Sequence, residues 1–276
     1  PRIRLFRPVR RKGKTDTQNQ AIATAVGEII VFTDANTRFD PAFLRQITRN
    51  FANPGVGGVD GRLFFMIDNN DGVSKSQGFY WRQELMLRRL ESCLGILAVA
   101  SGACMAIRKS LFRNMQMTVG EDCQVPLDLI DQGYSVVHDD NALAYDSMEQ
   151  QMGKEFRTRV RMTVRNWQGT WSYPQLLNPL CSPKIAFSLW SHKVLRWLSP
   201  LFLICWLIGS ALMFVEGVHA GAFAYLAIIF MFLAMLGFTG VSFPGASLVS
   251  SFCLANCGFA VGLLKVIAGS KISSYR

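Results

Sequence analysis

Formal charge nearly vanishes from the last third of this chain: beyond Trp197 only Glu216, Lys265, Lys271 and Arg276 carry any. A stretch so poor in charge does not make the surface of a soluble domain, and it directs attention to a lipid environment. Metal-type cysteine spacing is also lacking. The seven cysteines are an odd number, and Cys253 and Cys257 sit inside an apolar run. A zinc module and a disulfide framework are both disfavoured, and all seven read as reduced thiols, consistent with a cytoplasmic face. No long Lys/Arg run is interleaved with aromatics, so nucleic acid is not expected as a partner. No methionine opens the chain. "PRIRLFRP" at its start reads as a strand in mid-fold, and the expectation is of a cut N-terminus with no signal peptide visible.

What is there divides sharply. Apolar residues make up 50% of the 276 positions. Most of the net charge of +10 lies before Trp197. A basic, soluble-looking part therefore precedes a greasy one. The basic excess suits an anionic membrane surface or a phosphorylated ligand.

Helical and strand periods alternate through the first part. Helical spacing covers 15–26 and stops at Gly27, and a buried strand, 28–35, runs into acidic turn-formers. A second helix spans 40–52 with Pro41 in its first turn. A strand follows at 57–66, a long helix at 75–92 and a small-residue strand at 97–107. The series closes with a helix from Glu121 to about Gly133, a strand at 134–140 and a helix at 151–168. That order predicts an α/β layered fold with a mostly parallel sheet flanked by helices.

Three organisational units are expected: a cytoplasmic domain over 1–175, an interfacial amphipathic segment over 176–196, and a membrane region over 197–276. Trp197–Val215 and Ala220–Phe238 are uncharged and each would be about 28 Å long as a helix, close to the hydrocarbon thickness. Glu216-Gly217-Val218-His219 links them, and a third apolar run, Leu248–Leu264, contains Asn256. Lys184, Lys193 and Arg196 before the first run place the N-terminal domain on the cytoplasmic side. Three full spans would leave Lys265, Lys271 and Arg276 outside, so the third run is read as interfacial or re-entrant.

Three clusters can carry chemistry. Asp34 and Asn36, in "FTDANT", follow a strand's C-terminal end, where open α/β sheets bind ligands. Asp34 can ligate a divalent cation bridging a diphosphate, with Asn36 adding a neutral oxygen; the alternative is an Asx turn. Glu121 and Asp122 open a helix, either as favourable charge at its N-terminus or as a carboxylate base. In "FRTRVRMTVRNWQGTW", Phe156, Val160, Val164 and Trp167 share one face, with Arg157, Arg161 and Arg165 along its flank. That ridge suits a diphosphate, or else a solvated or headgroup-facing stripe.

Together these clusters resemble family 2 glycosyltransferases of the cellulose, chitin and hyaluronan synthase type. The matching segments are "GKTDTQNQAI", "VFTDANT", "YWRQELMLRRLES", "SGACMAIRKSLF", "GEDCQVPLDLIDQGY" and the Arg-rich helix, in the family's order over nearly all of 12–170. The segment 123–157 reproduces the family's 35-residue spacing, and Thr158-Arg159-Val160-Arg161-Met162 stands at its Gln-Arg-x-Arg-Trp motif. Thr158 and Met162 replace the Gln and Trp of polymer-extending members, and Asp34-Ala35-Asn36 replaces Asp-x-Asp.

The resemblance implies a GT-A fold followed by transmembrane helices. It implies inverting transfer of a sugar from a nucleotide-diphosphate donor to a glycan or lipid-linked hydroxyl. Asp34, with Asn36, would hold a Mg or Mn ion. Lys14, Arg159 and Arg161 would attend the donor diphosphate, helical geometry favouring Arg161. Asp122 would be the base, with Glu121, Gly102 and Ala103 on the acceptor side. Trp167 and Trp171 are read as core packing before sugar stacking. The resemblance also implies a base-binding strand before Pro1, so residues 1–276 alone are expected to be inactive or nearly so. It places the protein as a multi-pass component of the inner (plasma) membrane, with its catalytic domain cytoplasmic. The rivals are a catalytically inactive relative acting as a membrane scaffold and a transporter subunit; the latter would need ionisable groups inside its spans.

Overall fold

The computed structural model describes residues 5–8, 12–66, 72–147, 152–215, 221–241, 243–270 and 272. The strand expected over 1–8 falls partly outside these residues, and its described part joins no strand. The polar link at 216–219 and the basic residues Lys271 and Arg276 also lie outside them.

Five strands form one sheet: β1 (Ile29–Val31), β2 (Arg38–Phe39), β3 (Val56–Met66), β4 (Met105–Arg108) and β5 (Ser135–Ser147), in the order β1-β4-β3-β5-β2. Helices α1 (Lys14–Thr24), α2 (Phe43–Arg49), α3 (Gly72–Cys93), α4 (Glu121–Asp131) and α5 (Met152–Trp171) accompany it. Short helices α6 (Pro174–Leu177) and α7 (Pro183–Ser188) lead through a π-helical turn, Leu189–Val194, into α8 (Leu195–Val215). Helices α9 (Gly221–Phe238) and α10 (Ala246–Ile267) follow.

The α/β class and the flanking helices agree with the sequence pattern. Strand direction corrects it: only β3–β5 is parallel, while β1–β4, β3–β4 and β2–β5 are antiparallel. The sheet is mixed. The reason lies in 97–107, expected as one strand: only Met105–Arg108 extends, and the preceding residues form a buried loop that returns the chain antiparallel between β1 and β3. Apolar alternation reports burial and not direction, so periodicity could not separate these outcomes.

One face of the sheet packs Phe43 and Ile47 of α2 against Val59, Leu63 and Ala144. The other carries Met105, Ile107, Val125 and Leu129. A third cluster joins Val119 and Leu127 to Leu189, Trp197, Phe259 and Leu263, so the helices after the domain share its core. At about 1.5–3 kcal/mol per large apolar side chain buried, this contact fixes α8 and α10 against α4 and α5. Gly258 and Gly262 allow the approach: a Cβ at Gly262 would lie 2.7 Å from Thr163 Cβ, and one at Gly258 3.0 Å from Arg159 Cβ. Two helical stretches are long and apolar enough to cross a membrane, Pro183–Val215 and Ala246–Ile267. The described apolar part of α9, Phe223–Phe238, is shorter, so α10 and not α9 is the second long one among the described residues.

Candidate active site

The first group of side chains gathers where β1 ends. Phe32 N–H still donates to Met105 O (2.7 Å), after which the chain leaves the sheet toward Asp34. Gly13, with φ 107°, turns the backbone into α1 and presents Lys14 from its first turn. Lys14 Nζ donates to Asp34 Oδ1 and to Glu121 Oε1, both at 2.5 Å. Burial alone would lower the Lys14 pKa. The Glu121 and Asp34 carboxylates outweigh it and hold the ammonium above its ordinary value, so Lys14 is charged at neutral pH. Asn36 Nδ2 donates to Asp146 Oδ1 at 2.5 Å. Burial, and secondarily the Asp34 charge, pushes the Asp146 carboxyl up.

The buried loop closes the next side. Asp60, in the middle of β3, accepts from Ser101 N–H (2.6 Å), Arg88 Nη1 (3.1 Å) and His138 Nδ1 (2.8 Å). A carboxylate in the sheet thus anchors Ser101 next to Gly102. A Cβ at Gly102 would lie 2.9 Å from Glu121 Oε1, so glycine leaves room for that carboxylate. Ala103 turns into the core with Phe43 and Val59.

Asp122 lies one residue beyond Glu121 and lines a different space, a cavity of about 390 Å³ shared with Tyr80, Glu84, Arg159, Lys193 and Arg196. Its carboxylate folds over Gly120, where a Cβ would meet Oδ1 at 2.2 Å. Burial chiefly, and then Glu121, raises the Asp122 pKa against the opposing charges of Lys193 and Arg165. A carboxylate held above its ordinary range is a stronger base, which suits proton abstraction. Consecutive acids on a helix N-terminus therefore serve two spaces: Glu121 faces Lys14, and Asp122 faces the cavity.

The arginines of α5 also divide. Arg165 is buried and donates to Val119 O (2.5 Å) and Thr15 Oγ1 (3.3 Å), beside Lys14. Arg161, one turn earlier on the same ridge, makes its own interactions. Arg159 is on the other flank, in the cavity with Asp122, paired with Glu155 (3.1 Å) and set over the Tyr80 ring. Trp167 packs on Trp171 and Trp197, each at 5.6 Å between centroids; Trp167 and Trp197 join the core, whereas Trp171 is 45% exposed, which corrects the core reading for it.

Sequence reasoning passed over Asp60 and Asp146, and it assigned Lys193 to a membrane interface. Asp60 left a signal: a lone acid inside the apolar run 56–66. Asp146 and Lys193 left none, because their neighbours Asn36 and Asp122 are far away in the chain.

A family model described as glycosyl transferase family group 2 matches residues 29–239, which include Asp34, Glu121, Asp122 and all of α5. The chain belongs to that family. Among curated relatives, an N-acetylglucosaminyltransferase of Sinorhizobium fredii is 21% identical over 62% of this chain and 44% of its own length. One from a Rhizobium species is 21% identical over 57% of this chain and 38% of its own. The chain thus spans less than half the length of these curated relatives. Among solved structures, a mannosyltransferase of Pyrobaculum calidifontis in complex with GDP-Man and Mn2+ superposes with a TM-score of 0.58 at 17% identity. That match covers 95% of this chain and 69% of the other, and at this identity it speaks for the GT-A-like fold.

Proposed function

We propose that this family 2 member is a membrane-bound, inverting glycosyltransferase. It would move a sugar from a nucleotide-diphosphate donor to the hydroxyl of a glycan or lipid acceptor, in polysaccharide or glycolipid synthesis. One observation carries the reading: Lys14, Asp34 and Glu121 meet at the sheet's edge, and the adjoining Asp122 opens into a separate cavity. A donor diphosphate and an acceptor hydroxyl need such neighbouring but distinct spaces.

In the reaction, the acceptor oxygen attacks the anomeric carbon as its proton passes to Asp122. The bond from that carbon to the diphosphate oxygen breaks, and its electron pair leaves with the nucleoside diphosphate. Attack opposite the departing group inverts the centre. Lys14 and the Arg161–Arg165 ridge supply positive charge on the leaving side, where it develops. Glu121 keeps Lys14 oriented, and Gly102 leaves room for the Glu121 carboxylate. Arg159 acts on the acceptor side in this reading, because it lines the Asp122 cavity.

The residues also fit a divalent cation, Mg or Mn. Asp34 and Asp146 offer carboxylates, and Asn36, whose amide nitrogen is turned to Asp146, keeps its amide oxygen available. Hard oxygen donors of this kind suit either ion. When bound, the ion would neutralise diphosphate charge. The full-length protein is expected to lose turnover in excess chelator and regain it with Mn2+ or Mg2+, and Asp34→Ala is expected to abolish that recovery. Undiminished turnover in chelator removes the ion from the reaction.

The two long apolar helices support a place in a membrane. We assign it to the inner (plasma) membrane, with the domain cytoplasmic, from Lys184, Lys193 and Arg196 ahead of the first apolar run. Burial of such helices greatly outweighs headgroup electrostatics. The protein is expected to remain in the membrane pellet after carbonate and high-salt washing; release by salt would contradict spanning helices.

A further inference from the structure

The Asp122 cavity does not end at the catalytic domain. A second space of about 340 Å³ shares Tyr80, Glu155, Arg159, Arg196 and Phe259 with it and continues along α8 and α10 past Leu248, Phe252 and Ala255. The two form one groove from the proposed base to the apolar helices.

The lining of the outer part is distinctive in what it has already satisfied. Ser199 Oγ donates to Asn256 Oδ1 (2.6 Å), and Asn256 Nδ2 donates to Phe252 O (2.9 Å). Arg159 is held by Glu155 (3.1 Å), and Arg196 by Tyr80 Oη (2.6 Å) and Glu84 (3.1 Å). These polar groups have partners, so what the outer groove offers a ligand is chiefly the rings of Phe252 and Phe259 and the side chains of Leu248 and Ala255. A glycan needs a dense set of open donors and acceptors; an acyl chain needs none. The inner part differs in one respect. Lys193 lines it yet makes no hydrogen bond with any described residue, while its charge acts on Glu84 and on Asp122. The π-helical turn Leu189–Val194 brings consecutive residues inward there: His192, clamped between Glu91 (2.8 Å) and Glu84 (3.1 Å), and then Lys193. An ammonium that faces the Glu84 and Asp122 charges with no hydrogen bond to either, between a base and an apolar channel, keeps its N–H donors open to an anion.

Resting on the proposed transfer reaction, we propose that the acceptor is a membrane lipid carrying both a phosphate and a free hydroxyl. Its chain lies along Phe252 and Phe259, its phosphate meets Lys193, and its hydroxyl reaches Asp122. The lipid enters sideways from the bilayer, which α8 and α10 are long enough to cross. Transfer then forms the bond from lipid oxygen to anomeric carbon and releases the nucleoside diphosphate, with the lipid's proton passing to Asp122.

The test uses full-length protein in phosphatidylcholine vesicles, a panel of tritiated nucleotide sugars, and one of three acceptors: phosphatidylglycerol, diacylglycerol or a water-soluble oligosaccharide. Label is expected in the organic phase with phosphatidylglycerol, and its appearance is expected to depend on Asp122. Lys193→Gln is expected to raise KM for phosphatidylglycerol by about ten- to a hundredfold and to leave KM for diacylglycerol unchanged, since only the former loses a charged partner. A general folding defect would move both. Asp122-dependent transfer only to the oligosaccharide overturns the lipid assignment and leaves the transferase reading standing. Equal use of diacylglycerol and phosphatidylglycerol overturns the role of Lys193. Absence of transfer to every acceptor, with no release of nucleoside diphosphate, overturns both the lipid assignment and the reaction on which it rests.

Discussion

Asp122→Asn in the full-length protein is expected to reduce sugar transfer by about 10²–10⁴-fold while donor affinity stays near wild type. A sugar or lipid hydroxyl is a poor nucleophile, and its proton must leave as the new bond forms. Asn keeps the size and the position over Gly120 but cannot take the proton. The pH profile adds a second reading. Burial, with Glu121, raises the Asp122 pKa, so the wild-type rate is expected to fall on acidification at a pH above the ordinary carboxylate range. That limb should vanish in the variant.

Stability separates a base from a helix-terminal charge. The raised pKa means the folded chain binds this proton more tightly than the unfolded one. The stabilising contribution is present at low pH and is lost as pH rises through the folded pKa. Replacing a carboxylate that ionises at such a cost should leave stability at neutral pH equal or higher. If Asp122 served only the helix dipole, Asn would instead cost about 0.3–1 kcal/mol and leave the rate unchanged. Near-wild-type turnover in the variant would move attention to Glu121.

Asp60→Ala is expected to destabilise the domain by about 3–5 kcal/mol, because it takes from the buried Arg88 guanidinium its closer carboxylate and leaves only Glu84, at 3.3 Å. Asp60 is fully buried and Arg88 only 5% exposed. Arg88, His138 and the Ser101 N–H together outweigh the effect of burial and hold Asp60 below its ordinary pKa. The contribution is therefore present above the ordinary carboxylate pKa and is lost as pH falls toward the depressed one. Asp60→Leu combined with Arg88→Met should recover much of the loss, since removing both charges also removes the cost of burying them. Thermal unfolding of the two variants makes the comparison. A single variant within 1 kcal/mol of wild type, or a double variant no better than the single, would separate this pair from folding. Asp60 also holds Ser101 N–H, so the surviving Asp60→Ala protein should bind donor more weakly as the loop at Gly102 loosens.

Much of this was legible in order and spacing. Helical period and breakers located α1, α3, α4 and α5 to within a few residues, because those signals are local. The same holds for the separation of a basic domain from an apolar region. Lys14, Asp34 and Glu121 could be selected by motif, and folding brings all three together through Lys14. Arg159 and Arg161 could be selected but not sorted, since which flank of α5 faces which space depends on the helices packed around it.

What the amino-acid order determined by itself, then, is the set of elements, the family motifs and the apolar runs, all written in near-neighbour periodicity. Strand direction, the pairing of Asn36 with Asp146, the burial of Asp60 under Arg88, and the turning of Lys193 from a supposed membrane interface into the Asp122 cavity were decided only by the tertiary structure. Each of these joins residues distant in the chain. The energy of a charge depends on which partner and how much water surround it, and neither is fixed until the chain has closed around it.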